Sequence, residues 1–239
     1  MKETYKEFLA RIQSFEKSET YFGNDYFKGN PSIAQKVGND NLFQAFYGDT
    51  IVFHLDDATK EKLSNFIEQL YQTAPECFCE KLDSNTLHMT LHDLSNAPVL
   101  KDVAAEVFEN ELKVIEKSKE IKKFHKIKMK TKYIFNMVDI SLVLGLYPTN
   151  EEEYNKLMEL YDIFDDVKKL SYPLTPHITL AYYNVNGFDT EAAKALEGVV
   201  SKLNRNEMEI ELELDRKHLY YQKFKSMNDY IDVISLGEV

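Results

Sequence analysis

Long apolar runs are missing from this chain. No stretch of about 18 apolar residues occurs, so no membrane-spanning helix is expected. The opening Met1-Lys2-Glu3-Thr4-Tyr5-Lys6 lacks the apolar core of a secretory signal. Cysteine is nearly absent. Cys77 and Cys79 are the two present, too close in sequence for an ordinary bridge, and they read as reduced thiols of a cytoplasmic protein. With no second pair of ligands nearby, they also make a poor metal site. Positive charge is in deficit: 29 Lys and Arg stand against 40 Asp and Glu, for a net charge of −11. Binding to long duplex nucleic acid calls for a basic footprint, and the chain as a whole has none.

What is present suffices for a large core. Of the 239 residues, 44% are hydrophobic and 13% aromatic, and the charged fraction is ordinary, which excludes wholesale disorder. One basic stretch interrupts the acidic background. Between Lys113 and Lys132 there are nine lysines and two glutamates. It reads as a solvated helix end and an exposed strand face. The functional alternative is a local guide for a phosphate-bearing ligand.

Periodicity orders the rest. Residues 5–18 predict an amphipathic helix, and residues 19–48, rich in Gly, Asn and Asp, predict a long irregular extension. Strands are predicted over 50–55, 86–94, 127–135, 139–147, 179–183 and 207–214, with short ones near 218–221 and 230–234. Helices are predicted over 57–73, 102–124, 150–164 and 190–203, the third opened by a capping Asn150 and acids in its first turn. The order is strand–helix–strand–helix–strand–strand–helix–strand–helix–strand–strand. That is a duplicated α+β unit: a bilobed domain over 49–239 with two antiparallel sheets, outer helices and a central cleft, preceded by the extension over 1–48.

Two segments carry the functional reading. Leu87-His88-Met89-Thr90-Leu91 and Pro176-His177-Ile178-Thr179-Leu180 each contain His-x-Thr-Leu, their histidines 89 positions apart. Side chains alternate along a strand, so each motif buries one row and offers an imidazole and a hydroxyl to the other face. A lone motif of this kind means little. Two among only six histidines are informative. Cleaving a phosphodiester requires a proton taken from the attacking oxygen and one given to the leaving oxygen, and imidazole suits both tasks. Thr90 and Thr179 can donate to the non-bridging phosphate oxygens.

At these residues the chain resembles the two-histidine phosphoesterase superfamily, which includes RNA 2′,3′-cyclic phosphodiesterases and 2′-5′ RNA ligase-like proteins. The resemblance spans about residues 48–235, and the run Phe46 to Leu55 before the first motif is most similar to a poorly characterised bacterial branch. It implies that His88 and His177 are the acid–base pair, that Thr90 and Thr179 bind phosphate, and that the two lobes are related by a pseudo-twofold. It also implies a 2′-phosphate product from a cyclic substrate. The expected activity is therefore a metal-independent phosphodiesterase acting on a 2′,3′-cyclic phosphate or a small nucleotide phosphodiester, with no cofactor. The partner is a small nucleotide or an RNA end, with no membrane.

On a regular strand His92 follows His88 and Thr90 onto the cleft face, and Tyr183 follows His177 and Thr179, so both are candidate pocket residues. Asp93 would then face away. A metal-dependent hydrolase using His88, His92 and His177 is a rival, weakened by the lack of an acidic ligand on that face. A catalytically weak nucleotide- or RNA-end-binding module is another. Which histidine is acid, which substrate is cleaved and which oligomer forms all stay open at this level.

Overall fold

Some strands alternate apolar and polar side chains while others, over 47–54 and 141–148, are buried nearly throughout, and apolar stripes at helical spacing dock the helices onto them. The computed structural model describes residues 3–18, 22–23, 25–121, 126–206 and 210–237. Along the chain run α1 (Tyr5–Ser18), β1 (Tyr47–His54), α2 (Asp57–Thr73), β2 (His88–Ala97), α3 (Leu100–Lys117), β3 (Lys126–Met137) and β4 (Ser141–Pro148). Then come α4 (Glu151–Asp165), β5 (His177–Tyr182), α5 (Thr190–Asn206), β6 (Glu211–Asp215), β7 (Leu219–Ser226) and β8 (Asp229–Ser235). Part of the strand expected over 207–214 and part of the basic stretch, at Lys122 and Lys123, lie outside the described residues.

The strands form one sheet in the order β6-β3-β4-β5-β2-β1-β7-β8. Each half is a four-stranded antiparallel unit with a motif strand at its inner edge. The two expected sheets are thus joined, through a single register pair, Met89 opposite Ile178. Helix ends follow local chemistry. Asp56 caps α2 by accepting from Thr59 N at 2.8 Å, and Asn150 caps α4 by accepting from Glu153 N at 3.1 Å. On one sheet face Ile51, Phe53, Met89, Leu142, Leu144 and Ile178 pack with Leu63 and Phe66 of α2, Phe164 of α4 and Leu196 of α5 in one continuous core. Buried Asp49 ties α3 to that face. Its carboxylate accepts from Ser95 N (2.9 Å), Asn110 Nδ2 (3.3 Å) and Tyr221 Oη (3.0 Å). Burial raises its pKa to about 6 against those donors.

The N-terminal segment packs on both sides of this frame. Phe22 and Phe27 join Tyr183 and Phe188 in an aromatic cluster, fixed by reciprocal backbone hydrogen bonds between Phe27 and Phe188 at 2.9 and 3.1 Å. Helix α1 lies over the opposite face of the β3–β4 half, where Phe15 stacks on Phe135 at 5.0 Å and Phe8 meets Tyr154 at 5.1 Å.

Candidate active site

The two motif strands are neighbours, so their side chains share one face at the centre of the sheet. With Met89 opposite Ile178 in an antiparallel pair, His88 falls beside Thr179 and Thr90 beside His177. The imidazoles are diagonal neighbours, whose residues lie about 7–8 Å apart in a regular ladder, somewhat less at Cβ. All four side chains line a cleft of about 870 Å³, well within the range of small-molecule sites.

Each imidazole is oriented in the same way. His88 Nδ1 donates to Thr86 O at 2.7 Å and His177 Nδ1 to Thr175 O at 2.7 Å. A carbonyl only accepts, so Nδ1 carries the proton and the neutral ring keeps its Nε2 lone pair free. Burial pushes the pKa of His88 down to about 4, against the lift from Thr86 O, with His54 and His177 adding to the fall and Asp93 opposing it. Burial likewise lowers His177, opposed by Thr175 O and Asp93 and reinforced by Lys36. Both rings are therefore neutral in the free protein at pH 7.

Immediately after each motif the strand departs from regularity. Val52 pairs with Thr90 but Ile51 with His92, which leaves Leu91 as an extra residue. Val143 pairs with Thr179 but Leu142 with Ala181, which leaves Leu180 extra. A bulge of this kind reverses the facing of everything beyond it. The cleft face thus carries His88, Thr90 and Asp93 on β2, and His177, Thr179 and Tyr182 on β5.

Two expected pocket residues are corrected by these bulges. His92 turns into the core, 1% exposed, with Nδ1 donating to Asp93 O at 2.6 Å and its ring against Tyr161. Tyr183 is fully buried in the Phe22–Phe27–Phe188 cluster. Asp93, expected to face away, is in the cleft, where it accepts from Tyr172 Oη at 3.1 Å. The metal arrangement of His88, His92 and His177 cannot form, because His92 lies on the other face. Among the described residues no group of three or more His, Cys, Asp or Glu is placed to hold a metal ion.

The N-terminal segment adds residues the motifs do not announce. Lys36 lies with Nζ 5.2 Å from the Phe46 ring centre and 5.3 Å from that of Tyr182, all three lining the cleft. Arg11 of α1 is held by Glu3 at 2.8 Å and donates to Leu174 O and Thr175 Oγ1 at 2.9 Å, bracing the turn whose Thr175 carbonyl orients His177. Among the described residues, no lysine of the basic stretch lines the cleft. Lys117 pairs with Asp166 (2.8 Å) and Lys130 with Glu211 (3.1 Å), as a solvated face does.

No protein-family model matches the sequence, and no curated protein does. Solved structures do match. The fold is that of the two-histidine phosphoesterases. A conserved protein of unknown function, ATU0111 from Agrobacterium tumefaciens, is similar over 87% of this chain and 94% of its own, at 15% identity and a TM-score of 0.65. LigT of E. coli, solved in complex with 3′-AMP, is similar over 79% of this chain and 96% of its own, at 12% identity and a TM-score of 0.51.

Proposed function

We propose that the chain is a metal-independent phosphodiesterase that acts on a 2′,3′-cyclic phosphate or a small nucleotide phosphodiester. The observation that carries this reading is the pair of imidazoles in one cleft, each with Nδ1 tied to a carbonyl and Nε2 free. A phosphodiester between them is an anion, and an anion raises the pKa of a facing imidazole. Bound substrate therefore lets one ring of a pair that is neutral without it take up a proton from solvent. That supplies one base and one acid. Thr90 and Thr179 donate to the non-bridging oxygens, and Lys36 offsets the charge that grows there. The two hydroxyls, the cation and the new imidazolium together balance the phosphate.

For a cyclic phosphate, the neutral imidazole takes a proton from water as the water oxygen bonds to phosphorus. One ribose P–O bond breaks, and that oxygen takes the proton of the other ring. For a linear diester, the neighbouring ribose hydroxyl plays the part of water and the second nucleoside leaves as an alcohol. The acidic chain favours a small ligand or a chain end over long duplex, and the nucleotide bound to LigT fits the same class. Both cysteines are buried and unbridged, in keeping with a reducing cytoplasm. No described helix is long and apolar enough to cross a membrane.

The test is a pair of single variants, His88→Ala and His177→Ala, with circular dichroism to confirm folding. Each should lower kcat by about 100-fold or more, the contribution of one positioned acid or base. Near-wild-type turnover in either would refute the pairing.

A further inference from the structure

The two halves of the cleft differ beyond their histidines. Opposite His177 on the neighbouring strand stands Gly145. A Cβ there would come within 2.9 Å of the Phe135 ring, and the sheet face outward from it is roofed by α1 through Phe15 on Phe135. Opposite His88 stands His54, at the end of β1. Outward from it the same face lies open as a bay of about 300 Å³, separated from the main cleft only by His88, Thr86 and Tyr230, which line both. The rings of His88 and Tyr230 meet edge to face at 5.1 Å and form that wall.

Carboxylates, amides and hydroxyls line the bay. Asp232 accepts from His54 Nε2 at 3.0 Å and from Gln222 Nε2 at 2.6 Å. Those bonds set the amide the way round it is, and Gln222, 3% exposed, keeps an Oε1 with no protein partner. Asp83 and Asp229 stand at the rim, and among the described residues neither Lys nor Arg lines the space. Such a lining repels a second phosphate and suits an uncharged group rich in O–H and N–H donors.

Resting on the phosphoesterase reading, we propose that this bay receives the second nucleoside of a linear phosphodiester whose phosphate lies between His88 and His177. The diester enters with one fixed polarity, because the carboxylate-lined bay takes the uncharged nucleoside, whereas the cleft on the His177 side runs under α1 past Arg11, Phe15 and Phe135. Acceptors at Asp232 and Gln222 take the donors of the sugar or base. A linear dinucleoside phosphodiester is then a better ligand than a diester that ends at its phosphate.

Binding by calorimetry tests this without turnover. The probes are a 3′-5′ deoxydinucleoside monophosphate, which lacks the neighbouring hydroxyl, and the matching deoxynucleoside 3′-(methyl phosphate). Wild type should bind the dinucleoside at least tenfold more tightly. Asn85→Trp, an exposed rim position that fills the bay without disturbing the core, should abolish that advantage. Asp232→Ala should reduce it several-fold. Equal affinity for both probes, an advantage that survives Asn85→Trp, or no binding of either would overturn the proposal. The phosphoesterase reading stands or falls separately, on whether the His88→Ala and His177→Ala variants lose turnover.

Discussion

Protonating His88 in the free protein should weaken the fold, by an amount set by its surroundings. Burial holds its folded pKa at about 4, against an ordinary 6.5. A group depressed in the folded state contributes fully above the unfolded pKa, and its contribution drains away as pH falls toward the folded one. Between pH 7.5 and pH 5 the unfolded ring gains its proton while the folded ring stays neutral. The loss is about 2 kcal/mol at pH 5, from RT times the logarithm of the ratio of the two binding polynomials at pKa values of 6.5 and about 4. Other groups titrate in the same window. Asp49, raised to about 6, acts with the opposite sign, since its folded form takes up protons first. The comparison must therefore be between wild type and His88→Gln, each unfolded in urea at both pH values. Wild type should lose about 2 kcal/mol more than the variant on going to pH 5. Inorganic phosphate should restore part of that loss in wild type alone, because the anion favours the imidazolium. Equal losses in the two proteins would refute the claim that the cleft desolvates His88.

Two further outcomes follow from residues near the histidines. Asp93 raises the pKa of both imidazoles, so Asp93→Asn should move the pH optimum of kcat/KM downward, and an unchanged or upward-shifted profile would count against its place in the cleft. Lys36→Met should cost about tenfold or more in kcat/KM, the scale of a hydrogen bond to a charged group, with Lys36→Arg recovering part of it; full activity in Lys36→Met would remove the lysine from the phosphate site.

Local pattern and long-range register divide the reading of this chain. The repeated His-x-Thr-Leu placed four side chains in one cleft, because within three residues a strand has no freedom to change face. Helices at Leu63, Phe66 and Leu70 or at Asn150 were equally legible, since an apolar stripe and a cap are local devices. The bulges at Leu91 and Leu180 were not. A bulge is defined by how many residues face one on the neighbouring strand, and nothing in Thr90-Leu91-His92 states what Val52 and Ile51 do. For that reason Asp93 and Tyr182 line the cleft in place of His92 and Tyr183. Both motifs break at the same position, the leucine after His-x-Thr, and that repeat of leucines was the one available signal. Lys36 and Arg11 were invisible for another reason. They come from a segment whose route over the sheet is set by tertiary contacts such as Phe27 with Phe188 and Phe15 with Phe135.

The central claim is best tested on a nucleoside 2′,3′-cyclic phosphate in excess EDTA, followed by phosphorus NMR, wild type beside His88→Ala/His177→Ala. Turnover by wild type to one phosphomonoester, and none above background by the double variant, is the predicted result. Turnover that persists in the double variant, or that EDTA abolishes in wild type, would contradict a metal-free mechanism built on these two imidazoles.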